Sequence, residues 1–335
     1  MVSKKCLLRK KLNEIATGML LLVSGAALGH HSISPYDRES FQELEGTVSG
    51  IQWRNPHIGL TLRVGDEEWE VEGDSANAAA RQGLMRESIQ IGDEIRVGGW
   101  PSTFGRRALF LTNVLIDGRE TVVMDLNLPF RWTERPDNRF VEGANAELVR
   151  SIFRVWSSSG ELYKLRNPYV LTPAAEAAKV GWDPYTDMLA LRCESPGMPN
   201  AVLNPYPIEF LDEEDKILLR IEEWEAVRTI HMTSQAIPED APRSPLGYSV
   251  GHWEEDSTFV VETARIDFPY LDDAGTPMSD DVRVIERFSL SEDGTHLDHE
   301  ISVTDPQNLV EPAVWDAKWR WIPGTVIRPY ECDVE

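Results

Sequence analysis

Three ionisable residues fall on otherwise apolar strand faces, and through them this chain could do acid–base chemistry. In a half-buried strand, residues two apart share a face. Around Arg228 the residues in phase are Trp224, Ala226, Ile230 and Met232, and around Glu286 they are Val282, Val284 and Phe288. Around His299 they are Leu297, Ile301 and Val303, leaving His296, Asp298, Glu300 and Ser302 to water. Buried charge is costly unless paired, so Arg228 and Glu286 are expected to meet inside a barrel with His299 nearby. Two readings stand side by side: an internal salt bridge that fixes packing, or a cluster that orients or transforms a ligand in a dry pocket. The second would be cofactor-free proton transfer (isomerisation, cyclisation, hydration or hydrolysis), with Glu286 or His299 as base and Arg228 steadying an oxyanion. Trp224, His252, Trp253, Phe288 and Trp319 are the candidate ligand-binding residues beside the cluster. His252 shares a face with Tyr248 and Val250.

A second constellation is His30, His31 and His57. An N-terminal histidine offers an amine and an imidazole, and a further imidazole completes a T-shaped nitrogen set suited to copper. His57 follows Asn55-Pro56, a tight turn that would present its ring at a barrel rim. The alternative function is therefore a copper-binding or copper-dependent oxidative protein, against the plainer reading of a solvated tail and a lone rim histidine.

The brace depends on cleavage of a leader. Lys4, Lys5, Arg9, Lys10 and Lys11 form a basic region, Met19–Val23 a short apolar core, and Ala27-Leu28-Gly29 a small-x-small cleavage signal. The apolar run is far short of the roughly 20 residues that cross a bilayer. Residues 1–29 thus read as a signal peptide and the destination as the periplasm or the exterior, with no integral membrane segment after cleavage.

The whole chain carries 33 Lys+Arg against 56 Asp+Glu, a net charge of −23. The leader removes its five bases and Glu14, leaving a mature chain still more acidic. Such a surface repels nucleic acid and anionic membranes. Cys6 leaves with the leader, so Cys193 and Cys332 remain as an even pair in an oxidising compartment, where a disulfide is expected. It would close a loop of about 140 residues, worth about 4–5 kcal/mol in the chain-entropy model. Gly247-Tyr248-Ser249-Val250-Gly251 matches G-x-S-x-G. A nucleophile elbow needs a strand-to-helix turn, whereas Trp253 and an acidic hairpin follow here.

The elements that must hold these residues are mainly β. Residues 30–120 read as an OB-like five-stranded barrel: strands 43–53, 57–64 and 67–72, a helix capped by Asp74-Ser75 through about Met85, then strands 93–100 and 108–116. Residues 121–206 form a Pro/Trp-rich connecting belt with a strand at 148–157 and a helix opened by Thr172-Pro173. Residues 207–335 read as a lipocalin-like antiparallel barrel with a C-terminal tail. Its eight strands lie at 207–211, 217–224, 227–232, 248–253, 259–266, 282–289, 296–303 and 314–321, enough to hold one small ligand.

Several stretches carry a resemblance: Leu171-Thr172-Pro173 through Cys193, Gly197-Met198-Pro199, Pro205-Tyr206-Pro207, Arg228–Met232, Leu246–Glu254 and Tyr330-Glu331-Cys332. Together they resemble an uncharacterised family of secreted Gram-negative bacterial proteins. His30-His31-Ser32, Glu45–Val48 and Trp53–His57 resemble a small periplasmic β-barrel domain often fused to it. The resemblance implies two domains and export, and no established activity. The function expected is an exported protein whose larger barrel binds a hydrophobic small molecule without a cofactor.

Overall fold

The computed structural model describes residues 35–123, 128–134, 151–158, 163–183, 186–187, 189–204, 206–234, 236–254 and 257–332. The expected leader, His30 and His31 lie outside them.

Alternating apolar residues and tight Gly turns build the first barrel. Strands β1 (Gln42–Gln52), β2 (Gly59–Val64) and β3 (Glu67–Glu72) form a meander, with Gly65 at φ 63° in the β2–β3 turn. Helix α1 (Ala76–Arg81) follows, its first turn capped by the Ser75 hydroxyl, which accepts from the Ala78 amide at 3.0 Å. Strands β4 (Glu94–Pro101) and β5 (Ala108–Ile116) complete the set, and parallel β3–β5 pairing closes it. This is the expected closed five-stranded barrel. Val48, Leu62, Val97, Leu109 and Leu111 fill it, each at most 1 % exposed. A short β6 (Arg119–Val122) extends the sheet beyond β5. The helix stops about four residues short of the expected Met85, at Gln82-Gly83, where Gly83 takes φ 84°.

The belt supplies β7 (Val155–Ser158), β8 (Lys164–Leu165) and helix α2 (Pro173–Lys179). The larger barrel follows as β9 (Ile208–Glu213), β10 (Lys216–Ile221), β11 (Ala226–His231), β12 (Tyr248–Trp253), β13 (Phe259–Ala264), β14 (Arg283–Leu290), β15 (His296–Thr304) and β16 (Ala313–Arg320). The eight expected strands are all present, but they do not close on one another. β7 inserts between β9 and β16 and makes the barrel nine-stranded. The expected strand at 217–224 ends at Ile221, because Trp224 and Glu225 take left-handed backbone conformations, φ 59° and 51°. Such conformations break a strand and cost of order 1 kcal/mol or more each.

One junction of this barrel differs from the rest. β11 and β12 run parallel and pair only at Ile230–Ser249 and His231–Val250, joined by the long connection 232–247. Every other ladder between consecutive barrel strands is antiparallel. Ala226–Thr229 therefore pair with β10 on one side and meet no strand on the other.

The barrels touch through α1. Arg81 pairs with Glu222, whose side chain is fully buried. Asn77 donates to Glu222 Oε1 at 3.1 Å and to the Pro329 carbonyl at 3.0 Å. The Cys193–Cys332 disulfide is formed as expected, and Asn55 of the first barrel pairs with Cys332. Among the described residues no helix is long and apolar enough to cross a membrane.

Candidate functional site

The period-two reading of strand faces holds at the interior cluster. Arg228, Glu286 and His299 are 1 %, 0 % and 2 % exposed and stand together inside the larger barrel. They belong to a polar row crossing five adjacent strands. Arg228 on β11 donates from Nε to Ser249 Oγ (2.8 Å) and from Nη2 to Thr263 Oγ1 (2.5 Å), and those hydroxyls lie 2.9 Å apart. Arg228 Nη2 also lies 2.5 Å from Glu286 Oε2, and Glu286 Oε1 lies 3.2 Å from His299 Nε2. Trp319 Nε1 donates to His299 Nδ1 at 3.4 Å, so this network assigns the histidine proton to Nε2, where it is donated to Glu286. Ser249 and Thr263 were not singled out as site residues. Ser249 belongs to the G-x-S-x-G match and serves Arg228, on a strand rather than at an elbow.

The electrostatics of the row follow from its contacts. Burial alone would raise the Glu286 carboxyl, but the Arg228 charge and the His299 hydrogen bond outweigh it and bring it to about 2. Burial holds His299 below its ordinary value, in the neutral form, against the pull of Glu286. Phe288 stacks on the His299 ring at 4.0 Å, with Tyr163 edge-on at 6.0 Å. Phe288 and Trp319 thus share the interior with the cluster. His252 and Trp253 do not: both are exposed at the end of β12, and Trp253 leans on Phe259 and Phe153. Trp224 lies outside the row as well, on the wall of a cleft.

That cleft, of about 870 Å³, opens where β11 lacks a strand neighbour. Ala226–Thr229 form one side, Ser244–Tyr248 the other, and Phe268 and Pro269 a third. A smaller cavity of about 30 Å³, the inner arm, adjoins it, with Leu189, Glu194, Trp224 and Phe268 lining both. At the inner end stand Glu223 and Asp273 among Trp182, Trp224, Phe268 and Tyr270. Glu223 is 7 % exposed and accepts from the Asn204 amide, while Asp273 accepts from Asn200 Nδ2 at 2.5 Å. Burial, with help from the charges of Asp273 and Asp74, pushes Glu223 up to about 8 against the Asn204 hydrogen bond. Burial and neighbouring Asp272 raise Asp273 to about 6, against the Asn200 hydrogen bond.

These acids escaped the strand-phase reading because neither sits in a strand. Glu223 lies in the left-handed turn after β10, and Asp273 in the connection between β13 and β14. The available signal was Asn204-Pro205-Tyr206-Pro207 in the belt, a pattern that marks a turn and names no acid.

Of the copper set, only His57 lies among the described residues. Its Nδ1 contacts Glu72, which also accepts from the Tyr36 hydroxyl at 2.7 Å, and its ring meets Phe110 edge-on at 6.0 Å. Among the described residues no group of three or more His, Cys, Asp or Glu side chains is arranged to hold a metal ion.

Residues 19–110 match a domain described as a family of unknown function, DUF6152, which takes in β1–β4 and the start of β5. No curated protein matches the chain.

Proposed function

We propose that this chain is an exported binding protein whose larger barrel holds an apolar small molecule, with no cofactor, in the cleft beside β11. The observation that carries the reading is the cleft at the unpaired half of that strand, where Ala226, Val227, Leu246, Phe268 and Pro269 supply apolar wall between polar groups such as Glu194, His231 and Asp267. An eight- or nine-stranded barrel is wide enough for one such ligand inside. Here the interior around the polar row is occupied by Phe210, Phe259, Phe288 and Trp319, so the side cleft is the better fit. The disulfide supports a periplasmic or extracellular destination, since such bonds persist in oxidising compartments.

Of the interior row only Arg228 borders the cleft, and Glu286 and His299 serve in this reading to hold it from behind. A carboxylate held near 2 is a weak base, and a histidine engaged at both nitrogens has no spare position for substrate. The contacts therefore favour holding over proton transfer.

The test is titration with a neutral solvatochromic probe, Nile red. One saturable, blue-shifted site is expected, abolished by Leu246→Trp, which fills the cleft and replaces no member of the polar row. Unchanged binding in the Leu246→Trp protein would overturn the location. Loss of binding in the charge-free pair Arg228→Met/Glu286→Leu, folded by circular dichroism, would instead give the row a direct part.

A further inference from the structure

Resting on the cleft as binding site, we propose that its occupant is a hydrophobic amine, with the apolar body in the outer cleft and the ammonium in the inner arm between Glu223 and Asp273.

The inner arm is lined by Trp182, Trp224, Phe268 and Tyr270, with the Tyr270 ring 6.4 Å from Trp182 and 6.5 Å from Phe268, both edge-on. Two glycines let these rings sit directly on the backbone. A Cβ on Gly275 would lie 2.3 Å from Trp182 Cγ, and one on Gly197 would lie 2.4 Å from Phe268 Cβ. The aromatic walls are therefore held in place before any ligand arrives. Aromatic faces attract cations through their quadrupole, and more strongly where water is excluded.

Charge points the same way. Five carboxylates line the joined cavities: Glu194, Glu223, Asp267, Asp272 and Asp273. The one arginine or lysine lining them among the described residues is Arg228, which Glu286 already neutralises. Among the described residues neither Glu223 nor Asp273 has an ion-pair partner; each has an amide instead. Ionising a buried acid without a counter-ion is costly, so Glu223 keeps its proton near neutral pH, and an ammonium beside it and Asp273 would favour release of that proton. An anionic amphiphile meets the reverse situation.

Size fits the division of labour. The inner arm, at about 30 Å³, admits a head group of one or two heavy atoms, and the outer cleft, at about 870 Å³, takes a chain or ring system. Trp224 borders both spaces, so its ring can face the ammonium and the first methylenes together. The left-handed backbone at Trp224 and Glu225 places it there at a conformational cost.

The experiment compares three probes of equal chain length, decylammonium, 1-decanol and decanoate, by calorimetry on the full chain at physiological salt. Decylammonium is expected to bind one site at least tenfold tighter than decanol, and decanoate more weakly than either. Glu223→Gln/Asp273→Asn should bring decylammonium down to the affinity of decanol while leaving decanol unchanged. Equal affinity for all three probes would overturn the amine and leave the apolar cleft standing. Absence of binding by any probe would overturn both. Many weak sites for decylammonium, unaffected by Leu246→Trp, would mean attraction to the acidic surface alone and also overturn the proposal. If the double variant does not fold, Asp273→Asn alone, at a partly exposed position, must weaken decylammonium severalfold, and unchanged affinity there would count as refutation.

Discussion

The larger barrel buries two sets of ionisable groups within a few residues of one another, and they have opposite fates. In the interior row, Glu286 meets Arg228 and His299, and its carboxyl falls to about 2. At the inner end of the cleft, Glu223 meets only amide and indole donors and other acids, and it rises to about 8. Burial is similar, 0 % and 7 % exposed. The difference is a counter-ion. A row that carries its own counter-charge is a structural fastener; a pocket that lacks one is electrostatically unfinished and has something to gain from a ligand.

The sharpest way to break this comparison is to remove one member of the compensated row. Glu286→Leu leaves the Arg228 charge buried and unpaired, so denaturant unfolding should show a loss of about 3–5 kcal/mol. Arg228→Met/Glu286→Leu removes both charges and should recover most of that loss, because Ser249 and Thr263 still hydrogen-bond to each other. A double variant as unstable as the single one would mean that the row does more than neutralise itself.

Acid should expose the same asymmetry. Glu286 has a folded value below its ordinary 4.5, so its contribution is fully present above pH about 4.5 and is lost as pH falls toward 2. In a charge-free row that contribution is absent, and Arg228→Met/Glu286→Leu should lose less stability than wild type between pH 4.5 and 2, read by thermal melts.

Glu223 has the opposite sign. Its folded value lies above the ordinary 4.5, so ionisation opposes folding increasingly as pH rises from 4.5 to about 8. Glu223→Gln should therefore melt above wild type at pH 9, by roughly 1–2 kcal/mol, with the gap closing toward pH 5. A gap independent of pH would place the effect in packing rather than charge. The smallest effect belongs to a solvated pair: Arg283–Glu262, about half exposed on the barrel's outer face, should change stability by less than about 0.5 kcal/mol in Arg283→Ala.

How much of this was legible in the sequence depends on how far each feature is from its cause. The interior row was legible because side chains alternate strictly along a strand. Val284, Glu286 and Phe288, or Leu297, His299 and Ile301, declare their common face within five residues. The same alternation read Trp224 wrongly as part of the β11 face, because the left-handed turn at Trp224-Glu225 resets the phase. Ser249 and Thr263 carry no such signal, because small hydroxyl residues are unremarkable in strands until an arginine one and two strands away reaches them.

The β character, the closure of the small barrel, the disulfide and the inward direction of Arg228, Glu286 and His299 are readable along the chain. Each follows from local alternation, turn chemistry or a count of two cysteines. Packing between distant segments decided that β7 returns from the belt to close a nine-stranded barrel and that β11 meets β12 in parallel over two residues. It likewise decided that belt residues near 182–204 and loop residues near 268–273 come together around Glu223. Those outcomes depend on contacts between segments tens of residues apart, which no local periodicity encodes. The unpaired strand half and the uncompensated acids beside it are products of that long-range assembly.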